Sequence, residues 1–179
     1  MNYIQLYVSE IDKGLVVGSK VDYIYRKLLS EIKSGYCEFD EQSGMKPILF
    51  AERYCVPKDS RSGKPIKLEL FQKAFIQAMF GIKKNGKRRF KEVLLLMARK
   101  NGKTTLLSIV MLYMLIADKE MGSEVYSVAT KLDQAKKAFD ECIAIMNKSP
   151  ELKALLKKRQ SDIYSPLSYG FIKPLASDS

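Results

Sequence analysis

An α/β fold, a parallel sheet flanked by helices behind a helical amino-terminal segment, is what this sequence predicts, on two observations. Residues 93–97, Val-Leu-Leu-Leu-Met, form an unbroken apolar run that reads as a strand buried on both faces, and residues 106–117 beyond Gly102 have helical spacing. The order then repeats. Residues 124–129, Glu-Val-Tyr-Ser-Val-Ala, read as a second strand, and Leu132, Ala135, Phe139, Cys142, Ile143 and Met146 mark one face of a following helix turned to the sheet. Strand, helix, strand, helix is the repeating unit of a parallel sheet, and its crossover should be right-handed.

The other elements follow in order. Residues 2–14 form a short helical piece, and Val17, Val21, Ile24, Tyr25, Leu28, Leu29 and Ile32 recur at three- and four-residue steps in an amphipathic helix that Gly35 ends. A polar, turn-rich stretch, 36–44, precedes a short helix at 46–54, and Pro57 opens a basic loop, 58–65, able to touch phosphate and solvated by default. The helix at 69–80 sets Leu70, Phe71, Ala74, Phe75, Ala78 and Met79 on its apolar side, with Gln72 on the flank and Gly81 as its stop. After the strand at 124–129, Thr130 is predicted as N-cap with Asp133 at the third helical position, beside the loop where ligands of open α/β sheets bind. Ser149-Pro150-Glu151 starts a helix over 151–158, and extended pieces at 162–164 and 169–174 flank the Ser165-Pro166 turn.

Residues 98–101 must therefore be a tight strand-to-helix loop, which is the layout of a phosphate-binding loop. Unpaired N–H groups at the helix start favour an anion, Lys103 adds a point charge, Thr104 offers a hydroxyl to the Mg²⁺ that travels with a nucleotide, and Gly102 lets the backbone come close. The general pattern G-x-x-x-x-G-K-[ST] places glycine at position 97, where this chain has Met97. Lys84-Asn-Gly-Lys87 repeats the tetrapeptide Lys100-Asn-Gly-Lys103 without an apolar strand before it, and reads as a polar turn.

Composition narrows the chemistry. With 46% hydrophobic and 28% charged residues the chain has an ordinary globular composition. The 31 Lys and Arg against 20 Asp and Glu leave +11, which favours a polyanionic partner. There is no histidine, which excludes His-dependent triads, His-containing zinc sites and imidazole bases within this chain. Cys37, Cys55 and Cys142 are widely spaced without C-x-x-C, so they read as packed, reduced thiols. No charge-free apolar stretch reaches ~18 residues and the start lacks a basic region before an apolar one, so a cytosolic protein is expected.

Three stretches together resemble the amino-terminal ATPase part of the large terminase subunit of tailed bacteriophages, a DNA-packaging motor and nuclease. They are Leu68-Glu-Leu-Phe-Gln72 with Phe80-Gly81; Met97-Ala-Arg-Lys-Asn-Gly-Lys-Thr104, similar to that family's deviant Walker A loop, in which the first glycine is normally absent; and residues 124–131 with Gln134-Ala-Lys136, Phe139-Asp140 and Ser149-Pro-Glu-Leu152. The resemblance spans roughly residues 65–178. It implies a phosphate-binding-loop ATPase sheet over 65–179, incomplete and without the nuclease domain, behind a helical segment over 1–64. ATP and Mg²⁺ would be held by Ala98, Arg99, Lys100, Asn101, Gly102, Lys103, Thr104 and Thr105, with Lys103 on the β- and γ-phosphates, Thr104 on the metal, Arg99 stabilising transferred charge and Gln72 contacting adenine. The implied partners are double-stranded DNA, the small terminase subunit, the portal protein and further copies of the full-length motor, in the bacterial host cytoplasm and with no membrane. The family's Walker B strand ends in Asp-Glu; here Asp140-Glu141 falls inside a helix, and 173–178 resembles the segment just ahead of that strand. The expected activity is an ATPase in which this chain alone binds ATP with little turnover. Two other readings stay open: a basic DNA-binding module in which Lys100 and Lys103 contact backbone phosphate, and an inactive prophage remnant.

Overall fold

The computed structural model describes residues 1–118 and 120–177. The chain falls into two compact units, Met1–Leu49 with Leu68–Leu95, and Phe50–Lys67 with Leu96–Ser179. Compactness thus divides the chain by interleaved segments rather than by one cut between residues 64 and 65. No helix of the described residues is long and apolar enough to cross a membrane.

The first unit is mainly helical, as expected of the amino-terminal segment. It holds α1 (Tyr3–Asp12), α2 (Ser19–Lys33), β1 (Glu38–Phe39), the start of α3 (Glu41–Tyr54), α4 (Leu70–Gly81), β2 (Ile82–Lys84) and β3 (Lys87–Arg88). Its core gathers Ile4, Tyr7, Val8, Tyr25, Leu28, Cys37, Ala74 and Ile82, with the Tyr7 and Tyr25 rings edge to face at 5.0 Å. Gln77 is fully buried: its Oε1 accepts from the Tyr3 amide at 2.6 Å and its Nε2 donates to the Met1 carbonyl at 2.9 Å, so α4 supplies the start of α1 with bonds the solvent cannot. The repeated Lys-Asn-Gly-Lys tetrapeptide is indeed a turn. It joins β2 to β3, with Asn85 at φ 53° and Gly86 at φ 73°, the left-handed pair that a two-residue hairpin requires.

The second unit carries α5 (Lys103–Ile116), β4 (Glu124–Ala129), α6 (Leu132–Lys148), α7 (Pro150–Leu155), β5 (Lys157–Lys158), β6 (Ile163–Tyr164) and β7 (Phe171–Ala176). Its sheet runs β4-β7-β6-β5, with β4 and β7 parallel and the other pairs antiparallel. The architecture is therefore α/β with a mixed sheet. α5 is apolar almost all round, burying Leu106, Ile109, Met111, Leu112 and Leu115, and it packs against α6, β4 and β7, as a helix of that composition must. Ser149 caps α7 by accepting from the Leu152 amide, with Pro150 in the first turn, as its sequence predicts. That helix stops at Leu155, shorter than the predicted 151–158, because Lys157 and Lys158 pair with β6.

Two expectations are corrected. Residues 93–97 are not a buried strand: they pair with no strand among the described residues, and Val93, Leu94 and Leu96 are 45%, 81% and 83% exposed. An apolar run becomes a central strand only when neighbours complete its hydrogen bonds on both edges, and the four described strands of this sheet place none beside it. Thr130 is not the N-cap of α6; Lys131 is, in extended conformation with no side-chain cap. The buried face of α6 is accordingly Ala135, Ala138, Phe139, Glu141, Cys142, Ile145 and Met146, with Ile143 only half-buried and Leu132 exposed. Asp178, part of the terminase-like segment, lies outside the described residues.

Gly170 sets the start of β7. A Cβ there would lie 2.5 Å from the Ser123 carbonyl oxygen and 3.0 Å from a Leu115 methyl, while the Phe171 amide donates to that same carbonyl at 2.9 Å. Gly170→Ala is expected to lower unfolding stability by about 1–3 kcal/mol, as overpacking against backbone does. A denaturant titration with unchanged midpoint would contradict this.

Candidate phosphate site

The turn before α5 is built by two left-handed residues, Lys100 at φ 69° and Gly102 at φ 73°, either side of Asn101. Glycine adopts that conformation without strain, and as N-cap it has no side chain to accept from the first helical amides. No acid stands in the first turn either. The amides of Lys103, Thr104 and Thr105 thus face outward at the positive end of a 14-residue helix, an arrangement that favours an anion. The side chains of Ala98, Arg99, Lys100, Asn101, Lys103 and Thr104 are exposed, and Thr105 is half-buried.

Behind the turn, α5 and α6 are stitched by small polar groups. The Ser108 hydroxyl lies 2.8 Å from the Thr104 carbonyl and 2.9 Å from that of Ala138, and the Cys142 thiol lies 3.6 Å from the Ser108 carbonyl. Burial pushes the Cys142 thiol up to about 12, and burial followed by the neighbouring Cys142 does the same to Cys55, so neither thiol is a nucleophile near neutral pH. All three cysteines are buried and reduced, as their spacing predicts.

Glu141 stands in the middle of the buried face of α6. Its Oε1 accepts from the Thr105 hydroxyl at 3.3 Å and from the Lys58 amide at 3.2 Å. The sequence shows it only as half of Asp140-Glu141 inside a helix; the signal for an inward role was an acid between Ala138 and Cys142 on a face otherwise apolar. The Lys58 contact brings in residues 57–67, a loop closed by the Ile66 amide donating to the Cys55 carbonyl at 2.9 Å. An open cleft of about 440 Å³ lies between this loop and the helix start, lined by Ser60, Ser62, Lys64 and Lys67 on one side and Gly102 and Thr105 on the other. Among the described residues no group of three His, Cys, Asp or Glu could hold a metal ion, so Mg²⁺ at Thr104 fits only as a companion of nucleotide phosphate, the donor set expected of that ion.

Gln72 is described within the other unit. It is buried, and its Oε1 accepts from the Glu69 amide at 2.9 Å while the Glu69 side chain accepts from the Gln72 amide, a capping box that starts α4. Its amide oxygen is thereby engaged, and a bidentate reading of adenine would compete with the cap.

The sequence profile of the family described as "Terminase large subunit, ATPase domain" matches residues 70–179. The "Terminase, large subunit" of Enterobacteria phage HK97 is 31% identical over 115 residues, which make up 63% of this chain and 22% of that protein. The "Crystal structure of the HK97 bacteriophage large terminase" aligns with a TM-score of 0.67 at 26% identity, covering 76% of this chain and 28% of that one. The chain spans less than a third of the length of the relatives it matches.

Proposed function

The chain belongs to the family of terminase large-subunit ATPase domains, and from that premise we propose that it binds ATP with Mg²⁺ at the start of α5, as part of a phage DNA-packaging motor. The observation that carries the reading is the left-handed Gly102 at the head of a buried helix, with Lys103 and Thr104 exposed in its first turn. Residues 98–105 wrap the phosphates with backbone N–H groups. Lys103 meets the β- and γ-phosphates, Thr104 offers its hydroxyl to Mg²⁺, and Arg99 stabilises charge on the transferred group. The ion, when bound, neutralises phosphate charge. Gln72 contacts adenine, through Nε2 while Oε1 holds the cap.

In the full-length protein, hydrolysis would drive translocation of double-stranded DNA, with the small subunit, the portal protein and further copies of the motor as partners in the host cytoplasm. Residues 65–179 would be its ATPase part, preceded by the helical segment 1–64. The net charge of +11 supports contact with DNA.

Lys103→Ala should abolish ATP·Mg²⁺ binding and leave the fold intact. Isothermal titration returning one affinity for parent and mutant would overturn the phosphate-loop reading.

Gln72→Ala should erase any preference for ATP over GTP, beyond the roughly 1 kcal/mol of stability that losing a helix cap takes away. Unchanged discrimination in competition binding would leave Gln72 with the cap alone.

Turnover needs an acid that anchors the metal and a carboxylate that orients water, which the family's Walker B strand supplies in its terminal Asp-Glu; here Asp140-Glu141 lies within α6, with Glu141 buried and its Oε1 already engaged. Binding and catalysis should therefore separate in this chain, with phosphate release at least about 100-fold below the ~1 s⁻¹ of a complete enzyme. Release near that rate at saturating ATP·Mg²⁺, lost in Lys103→Ala, would show that a catalytic carboxylate lies among these residues.

A further inference from the structure

Glu141 is one of two side chains on α6 that hold the same loop. Seven residues on, two helical turns further along, Lys148 Nζ donates to the Pro57 carbonyl at 2.9 Å and to the Lys58 carbonyl at 2.5 Å. The entrance of the loop is thus tied to α6 from both sides of the Lys58 peptide, and the ring is closed at Cys55 and Ile66. Beyond these ties, residues 59–64 make few bonds except among themselves: the Ser60 amide to the Pro57 carbonyl, the two serine hydroxyls at 3.3 Å, and the Lys64 amide to Ser62 Oγ. The loop carries Lys58, Arg61, Lys64 and Lys67 against one acid, Asp59. Its exposed side faces the cleft beside Gly102 and Thr105, whose volume lies within the ~300–1,000 Å³ usual for small-molecule sites.

We propose that Glu141 is a positioning residue for nucleotide binding: by joining the Lys58 amide to the Thr105 hydroxyl it sets the 57–67 loop as the second wall of the nucleotide cleft, and Lys64 and Lys67 share the polyphosphate charge with Lys103. The proposal rests on the phosphate-loop reading above. A carboxylate suits the task because one oxygen accepts from both donors without a second buried group, and helix-borne side chains place them more rigidly than the loop could alone. Loosening the loop removes two cations from the phosphates while leaving Lys103 and the α5 amides where they are. The loss should therefore be partial, unlike that of Lys103→Ala.

The test compares the parent, Glu141→Gln, Glu141→Ala and Lys148→Ala. ATP·Mg²⁺ affinity is read by titration well below each melting point, and tryptic cleavage after Lys58 and Arg61 by mass spectrometry with and without ATP. Glutamine keeps the accepting oxygen, so Glu141→Gln should bind within about twofold of the parent, whereas Glu141→Ala should bind roughly tenfold more weakly, the scale of losing a hydrogen bond to a charged group. The alanine variant should also be cut faster in the loop and lose protection by ATP. Lys148→Ala, altered at an exposed side chain, should shift both readouts the same way and carries the test alone if Glu141→Ala does not fold. Parental affinity and parental cleavage in Lys148→Ala and in folded Glu141→Ala, in a protein whose binding still depends on Lys103, would overturn this inference alone. A parent that binds no ATP would overturn both it and the phosphate-loop reading.

Discussion

Ser108 and Cys142 let α5 and α6 lie close together without leaving a polar group unpaired in the seam. Each such bond contributes only about 1 kcal/mol net, but burying the same groups unsatisfied would cost about 1–3 kcal/mol apiece, so the pairing fixes which sides of the two helices meet. That choice sets the rotation of α5 about its axis. With Ser108 turned to α6, Thr105 one turn earlier reaches Glu141, while Lys103 and Thr104 are left facing solvent at the helix start. The start of the helix thus inherits its aim from a buried serine.

The same logic, a buried polar side chain completing the backbone of another element, recurs where the chain must turn. Gln77 supplies the start of α1, while within α4 itself the buried Gln72 and the exposed Glu69 cap complete that helix's own start. Glu141 joins the Lys58 amide of the 57–67 loop to α5 and α6, beside the bonds that Lys148 makes to the same loop. A carboxylate buried without donors would cost several kcal/mol, so its presence among Ala138, Cys142 and Ile145 is explained by the two donors that reach it. The start of α5 is different in kind. Gly102 cannot cap it, and the groups left open are those a phosphate satisfies.

Features encoded by neighbouring residues were legible in the sequence. The turn at Asn85-Gly86, the start of α7 at Ser149-Pro150, the strand at Glu124–Ala129 and the start of α5 at Lys103 each depend on backbone preferences within a few positions. The terminase resemblance, read from short blocks of residues, agrees with the family match over residues 70–179. What depended on distant partners was misread. Residues 93–97 look the same in one dimension whether or not strands flank them, and Ala138 and Ile145, rather than Leu132 and Ile143, are buried because α5 and the sheet meet that side of α6.

The sequence by itself determined where the turn before α5 lies, because Gly102, the lysine and threonine after it and the apolar helix behind them are consecutive residues whose local preferences agree. Only the tertiary structure decided that Glu141 faces inward and joins Thr105, at the start of α5, to Lys58, which lies 83 residues before Glu141 in the chain. An acid is placed inside a protein only by the donors that come to meet it, and here they arrive from two segments that no local pattern connects.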